Sequence, residues 1–130
     1  MPELPEVETL RGQLAAETAG VRWERIVARP CSLFRSPARE IATRLEGAAL
    51  ERVERRGKVL ILRFERDLAL LLHLGMSGQV LLAPPARPDE RHRHLTARLA
   101  DGRLLVFRDP RRFGFIRLVR GGALAGVAEL

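Results

Sequence analysis

The sequence predicts a mainly β fold with two helices, arranged most simply as a two-sheet β-sandwich or a flattened barrel of about eight strands. Three observations support this prediction. The first 47 residues contain two short segments with helical spacing of apolar residues, and the chain beyond Gly47 is a series of short apolar runs separated by turn signals. The length of 130 residues, 46% of them hydrophobic, suffices for one domain with its own core, so residues 1–130 are treated as a single domain.

The first predicted helix runs from about Pro5 to Ala19. Val7, Leu10 and Leu14 recur at helical spacing, and Pro5 suits the first turn. Gly20 provides the stop. The second helix is predicted in "SPAREIATRLEG", where Ser36 is expected to cap the helix and Gly47 to end it.

Eight strands are predicted around these helices. Asp101-Gly102 is a strong signal for a two-residue hairpin, and "ERD" marks another turn. "APPARPDE" is predicted to be a mobile Pro-rich loop, and "RGGALAGVAEL" to be the start of a linker. The predicted strands are one near Trp23–Arg29 and then "ALERVERR", "KVLILRF", "LALLLHL", "QVLLA", "HLTARLA", "RLLVFRD" and "FIRLVR".

Composition favours a polyanionic partner. The formal net charge is +7, and Lys58 is the only lysine among 23 basic residues. Arginine makes forked contacts to phosphate and guanine, so nucleic acid is a more natural partner than a membrane, although solvated surface charge remains the alternative. The sequence has neither a membrane-length apolar run nor a basic, apolar leader. One cysteine, Cys31, allows no internal disulfide or cysteine-clustered zinc site, and a cytoplasmic protein is expected.

The opening "MPELPEVETL" is predicted to carry a nucleophile. If Met1 is removed, Pro2 has a free secondary amine, and α-amino groups have a pKa of about 7.7–8.0, well below that of lysine. Attack of this amine on a sugar C1′ gives an iminium ion that acts as an electron sink. Glu3 and Glu6 are the adjacent candidates for proton transfer. The alternative is an ordinary helix start, with acids placed for the helix dipole.

Three further stretches carry candidate binding residues, each of which also has an ordinary structural explanation. In "RRGKVLI", Lys58 follows Arg55, Arg56 and Gly57 in a basic corner suited to a phosphate. In "LHLGMSGQ", His73 could donate to a phosphate, and Met76 on a glycine-bounded loop could insert between bases.

The last stretch is "RDPRRFGF". Arg111 and Arg112 precede Phe113 there, a combination that suits base-edge hydrogen bonds and stacking.

Together, "PELPEVET", "RRGK", "LHLGMSG" and "DPRRFG", in this order, closely resemble the N-terminal domain of formamidopyrimidine-DNA glycosylases, bacterial enzymes of oxidised-guanine repair. The resemblance covers nearly the whole chain. It implies a β-sandwich with two helices that binds double-stranded DNA as a monomer. It also implies excision of 8-oxoguanine and ring-opened purines, followed by β,δ-elimination at the abasic site.

The resemblance also implies roles for particular residues. Pro2 corresponds to the Schiff-base nucleophile, Glu3 to a proton donor or acceptor and Glu6 to a supporting acid, with Lys58 as the fourth residue of the catalytic site. Lys58 and His73 correspond to groups that hold phosphates around the flipped nucleotide. Met76, Arg111 and Phe113 correspond to residues that fill the gap left by the extruded base, and Arg111 faces the orphaned cytosine. The remaining expected DNA-binding residues are His92 and Arg112.

The chain departs from that family in length and detail. Members are about twice as long, and their second half carries a helix–two-turn–helix element and a zinc finger. No metal or cofactor is therefore expected in this chain, which resembles an isolated domain or a short homologue with impaired activity. Smaller departures are Val59, where an aromatic is common, and Arg93, where an acid can occur. The alternatives are a non-catalytic DNA-binding fragment and an endonuclease VIII-like domain, which typically has Gly in place of Leu4 and lacks the gap-filling set.

Overall fold

The computed structural model describes residues 4–84 and 93–130. Within these ranges the chain forms two α-helices, eight strands and one 3₁₀ helix. In chain order they are α1 (Leu4–Thr18), β1 (Trp23–Ala28), α2 (Ala38–Leu45), β2 (Leu50–Arg56), β3 (Val59–Phe64), β4 (Leu68–His73), β5 (Gln79–Ala83), β6 (Arg93–Leu99), β7 (Leu104–Arg108), β8 (Phe115–Arg120) and the 3₁₀ helix Gly121–Gly126.

The strands form two antiparallel sheets of four, with orders β1-β6-β7-β5 and β2-β3-β4-β8. The main core lies between the sheets, as the predicted sandwich requires. Trp23 of the first sheet meets Phe64 of the second in an edge-to-face pair, with ring centroids 4.7 Å apart. The predicted fold class is therefore confirmed.

The turn between β3 and β4 illustrates how local backbone geometry sets the hairpin. Arg66 and Asp67 both have positive φ, at 70° and 55°. Phe64 pairs with Leu68, so residues 65–67 form a three-residue hairpin loop, one of the common hairpin lengths. The predicted "ERD" turn lies at this position.

Two local predictions are wrong. Ser36 does not cap α2, because Pro37 occupies the cap position and makes no side-chain capping bond. The Ser36 hydroxyl instead accepts a hydrogen bond from the backbone N–H of Leu118 at 2.9 Å. Ser36 therefore connects the start of α2 to β8 rather than satisfying the helix end.

The stretch predicted as a linker packs against the outer face of the second sheet. Its 3₁₀ helix and following turn bury Leu124 and Val127. Both belong to a second apolar cluster, which also contains Val59, Ile61, Ala69, Leu71 and Phe115. Glu129 fixes the end of this segment through ion pairs with Arg35 and Arg117.

Among the residues that the structure describes, no helix combines the length and apolar character needed to cross a membrane. The same residues contain no cluster of three or more histidine, cysteine or acidic side chains that could hold a metal ion. The predicted Pro-rich loop begins within the described part, but residues 85–92 lie outside it.

Candidate nucleic-acid interface

One end of the sandwich collects the motifs predicted from the sequence. Arg56, Val59, His73 and Phe115 form a continuous row across β2, β3, β4 and β8. The β2–β3 turn, the end of β4 and the start of β8 therefore lie at the same edge. Residues 74–78 cross from this edge to β5, and residues 109–114 cross back from β7 to β8. We call these two crossing segments the paired loops.

The paired loops make direct backbone contact. A Cβ atom added at Gly75 would lie 2.5 Å from the Gly114 nitrogen and 2.6 Å from the Phe113 carbonyl carbon. A Cβ at Gly114 would lie 2.0 Å from the His73 carbonyl oxygen. Because real Cβ atoms do not approach backbone this closely, both positions require glycine. The sequence pattern of glycines thus reflects close packing between two loops.

The tips of the paired loops expose large apolar side chains. Met76 is 44% exposed and Phe113 is 57% exposed, so neither is a core residue. The Arg111 guanidinium lies over the Phe113 ring, 5.1 Å from its centroid. Arg112 is exposed and has φ of 57°, a left-handed conformation that is costly for a residue with a Cβ. Apolar and cationic side chains are therefore exposed together at this end of the sandwich.

Asp109 connects the paired loops through hydrogen bonds to its buried side chain. Its carboxylate is fully buried, and Oδ1 accepts a hydrogen bond from the Ser77 hydroxyl at 2.6 Å. Oδ2 accepts one from the Gly114 backbone N–H at 3.0 Å. Ser77 Oγ in turn accepts the Arg111 N–H at 3.2 Å. The sequence indicated only a turn at Asp109-Pro110, because partners separated by 32 positions in the chain leave no local signal.

His73 lies beside the paired loops with a defined tautomer. Its Nδ1 accepts the Gly75 N–H at 2.9 Å, so the proton of the neutral ring is on Nε2. The ring stacks on Phe115, with centroids 5.4 Å apart. Desolvation lowers the pKa of His73, the positive charges of Arg35 and Lys58 lower it further, and Asp109 opposes them. His73 therefore presents a neutral N–H donor near a cationic edge, which suits a phosphate oxygen.

Lys58 is half-buried in the β2–β3 turn, and its positive charge is one of those that lower the pKa of His73. The predicted basic corner is smaller than the sequence implied. Arg55 donates to Glu8 at 2.8 Å and to the Gly57 carbonyl at 3.1 Å, so its guanidinium is occupied within the fold. Lys58 and the exposed Arg56 remain as the outward cations of that turn.

The first turn of α1 lies against the same end of the sandwich. Glu6 is exposed and lines a groove of about 190 Å³ together with Leu74 and Gly78 of the first loop. Glu8 fixes the helix, because Arg11 and Arg55 both donate to its carboxylate. These hydrogen bonds lower the pKa of Glu8 from 4.5 to about 2. The ion pair that joins Glu8 of α1 to Arg55 of β2 was not predicted from the sequence, although the "PELPEVET" and "RRGK" motifs contain the two partners.

Three predicted site residues, Pro2, Glu3 and His92, lie outside the described residues. The described part of the chain begins at Leu4, the first residue of α1. Of the others, Glu6, Lys58, His73, Met76, Arg111, Arg112 and Phe113 all belong to the elements that meet at the paired loops.

The fold and site together define a two-sheet β-sandwich domain whose loop-built, basic end suits a polyanion. Comparisons with known proteins all give the same family. Residues 1–116 match the model of the formamidopyrimidine-DNA glycosylase N-terminal domain. The chain belongs to this family, as its sequence motifs predicted.

Several bacterial members of this family are similar in sequence to the chain. The formamidopyrimidine-DNA glycosylase of Geobacter sulfurreducens is 45% identical over 116 residues, which are 89% of this chain and 42% of the relative. That of Nocardia farcinica is 43% identical over 142 aligned positions, covering 100% of this chain and 46% of the relative. The chain thus spans somewhat less than half the length of these relatives.

Solved structures of proteins from the same family are similar to the structure of this chain. A crystal structure of the Lactococcus lactis protein in complex with DNA containing FAPY-dG superposes with a TM-score of 0.90 at 33% identity. The superposed region covers 95% of this chain and 46% of the Lactococcus lactis chain. A complex of the same protein with DNA containing an abasic site also gives a TM-score of 0.90. The whole described sandwich therefore has the architecture of that domain.

Proposed function

We propose that this chain is the catalytic N-terminal domain of a DNA glycosylase and abasic-site lyase that removes oxidised purines from double-stranded DNA. The observation that carries the proposal is the convergence of the paired loops, His73, Lys58 and the start of α1 at one end of the sandwich. Such an arrangement offers phosphate contacts beside apolar side chains that can replace an extruded base. The relatives' names and their complexes with damaged DNA support the same assignment.

In the proposed reaction, the free amine of Pro2 attacks C1′ of the damaged nucleoside. The new N–C1′ bond forms as the glycosidic bond breaks, and the departing base takes the bonding electron pair and a proton. The amine then loses its proton, and the C1′–O4′ bond breaks as O4′ takes up a proton, which opens the sugar ring and leaves an iminium ion at C1′. This ion acidifies the C2′ hydrogens, whose removal expels the 3′ phosphate, and a second elimination expels the 5′ phosphate. Glu3 and Glu6 are proposed to transfer the protons.

The binding residues have separate proposed tasks. Lys58 and the Nε2–H of His73 hold phosphates, together with His92 and Arg112 as further DNA contacts. Met76 and Phe113 occupy the space that the flipped base vacates, which offsets the few kcal/mol lost on unstacking. Arg111 makes forked hydrogen bonds to the orphaned cytosine. We further propose that the domain acts as a monomer on bacterial cytoplasmic DNA and needs no cofactor of its own.

The nucleophile is tested by trapping the iminium ion with borohydride. With Met1 removed, as verified by intact mass, the chain should become covalently linked to DNA that contains an abasic site. Peptide mapping should place the link on Pro2, and Pro2→Gly should weaken trapping because a primary amine fits the site less well. A link mapped to Lys58 instead contradicts the assignment.

We also propose a second activity for residues 1–130 tested by themselves, namely DNA binding without excision. These residues span 42% and 46% of two relatives, so such a test excludes any contact that the rest of a longer protein would make. The isolated chain is then expected to bind DNA weakly, with strong salt dependence and little preference for 8-oxoguanine. Excision of 8-oxoguanine at the rate of a full-length relative would rule out this second function.

A further inference from the structure

The buried carboxylate of Asp109 has no part in the reaction proposed above, yet it is the best connected polar group at the paired loops. It has no exposed surface, and each of its oxygens accepts a hydrogen bond from a different loop. Its backbone carbonyl also accepts from His94 Nε2 at 2.8 Å and from the Arg112 N–H at 3.3 Å. A buried carboxylate is costly unless its lone pairs are used, so these bonds fix its position.

The bonds of Asp109 reach both tips of the paired loops. Ser77, which donates to Oδ1, is the neighbour of Met76 and also accepts the Arg111 N–H. Gly114, which donates to Oδ2, is the neighbour of Phe113. Met76 and Phe113 are about half exposed and belong to no core cluster, so the core does not hold their side chains in place. Their placement therefore depends on the backbone beneath them.

We propose that Asp109 is a positioning residue that, through Ser77, couples the paired loops into one rigid body. Met76 on one loop and Arg111 and Phe113 on the other then keep a fixed spacing and enter an opened duplex together. The inference rests on the proposed function for its purpose. The coupling itself is a property of the free protein and can be measured without DNA.

The coupling is tested by amide hydrogen exchange with Ser77→Ala. The matched control is Ser36→Ala, because Ser36 is another half-buried serine whose hydroxyl bridges two segments, here the start of α2 and Leu118. Ser77→Ala should speed exchange at Gly114, on the opposite loop, by roughly tenfold, since it removes a bond to a carboxylate. Ser36→Ala should leave Gly114 unchanged.

Asp109→Asn gives the reciprocal measurement. Its neutral amide can face the Gly114 N–H with oxygen and Ser77 with nitrogen, but both hydrogen bonds lose the charge of the carboxylate and weaken. Exchange at Gly78 should therefore rise, although Gly78 itself donates to Leu74 at 2.7 Å. Effects confined to the loop that carries each substitution would overturn the coupling. If Asp109→Asn does not fold, Ser77→Ala decides the question alone.

The functional consequence is measured separately with a fluorescent base analogue placed beside a lesion. Ser77→Ala should reduce base extrusion several-fold without changing the dependence of binding on salt, whereas Ser36→Ala should change neither. Normal extrusion by a variant whose loops exchange faster would overturn the positioning role. If the parent chain opens no duplex, the proposed function fails, while the exchange result still decides whether Asp109 couples the loops.

Discussion

The paired loops and segment 121–130 both lie at the second sheet, but they differ in whether their large apolar side chains are buried or exposed. Segment 121–130 buries Leu124 and Val127 against the sheet and secures its end with Glu129. The paired loops expose Met76 and Phe113 while burying a carboxylate and three glycines beneath them. Burial of apolar surface stabilises the fold, so the first arrangement serves stability. The second holds apolar surface away from the core and is explained by a partner that covers it.

The largest expected difference between the two regions concerns glycine. Gly114→Ala places a methyl group 2.0 Å from the His73 carbonyl oxygen, whereas a methyl group at Gly126 meets nothing within 4 Å. Gly114→Ala should therefore lower the free energy of unfolding by about 3 kcal/mol or more. Gly126→Ala should change it by less than about 0.5 kcal/mol. Urea unfolding of both variants measures this contrast, and equal effects would remove the distinction between the regions.

The second contrast compares a buried and an exposed apolar side chain. Leu124→Ala should cost about 2–3 kcal/mol, because it empties space in the outer apolar cluster. Met76→Ala should cost less than about 0.5 kcal/mol, because the residue lies outside the core clusters and is 44% exposed. Thermal and urea unfolding report both values. A large loss for Met76→Ala would make Met76 a packing residue and contradict its proposed role.

A smaller effect is expected from the ion pairs that end segment 121–130. Desolvation raises the pKa of Glu129, but hydrogen bonds from Arg35 and Arg117 lower it by more, so the pKa lies below its usual 4.5. A carboxyl with a lowered folded pKa stabilises the fold above the unfolded value and loses that contribution as the pH falls through the folded one.

Glu129→Gln should therefore destabilise the domain by about 1 kcal/mol at neutral pH. The difference from the parent should shrink as the pH falls below 4.5. Urea unfolding across this range makes the measurement. A difference that stays constant with pH would show that the carboxylate charge contributes nothing.

The smallest expected change in stability belongs to Lys58. Lys58→Ala should leave the free energy of unfolding nearly unchanged and should weaken binding to damaged and undamaged duplexes alike. The plot of log binding constant against log salt concentration should lose roughly one counterion. Arg55→Ala is the informative comparison, since Arg55 is held by Glu8. An equal loss of slope for Arg55→Ala would mean that both side chains bind phosphate.

The sequence predicted most of the fold because its elements have local signals. Helical spacing, alternating strand patterns and turn dipeptides depend on neighbours in the chain, and they located both helices and all eight strands of the described residues. Segment 121–130 was mistaken for a linker because its glycines dominate its composition. The uninterrupted apolar runs of β3 and β4 carried the missing information, since strands that are apolar on both faces need cover on both.

The site was predictable to the extent that it consists of motifs. Met76, Arg111 and Phe113 stood out as unusual residues on glycine-bounded loops, and the structure brings them together. Asp109 and the clamp between Glu8 and Arg55 were missed because their hydrogen bonds join residues 32 and 47 positions apart. Such bonds follow from the three-dimensional arrangement of the sheets and leave no periodic pattern.

The most direct test of the account is whether the exposed apolar tips act on opened DNA. Met76→Ala and Phe113→Ala should each retain the melting temperature of the parent and yet reduce base extrusion beside a lesion, read from a fluorescent base analogue at low ionic strength. Val27→Ala is the matched control, because Val27 is 55% exposed on β1, outside the paired loops. Val27→Ala should leave extrusion unchanged. Extrusion that is normal in both tip variants, or reduced equally in the control, would contradict the account.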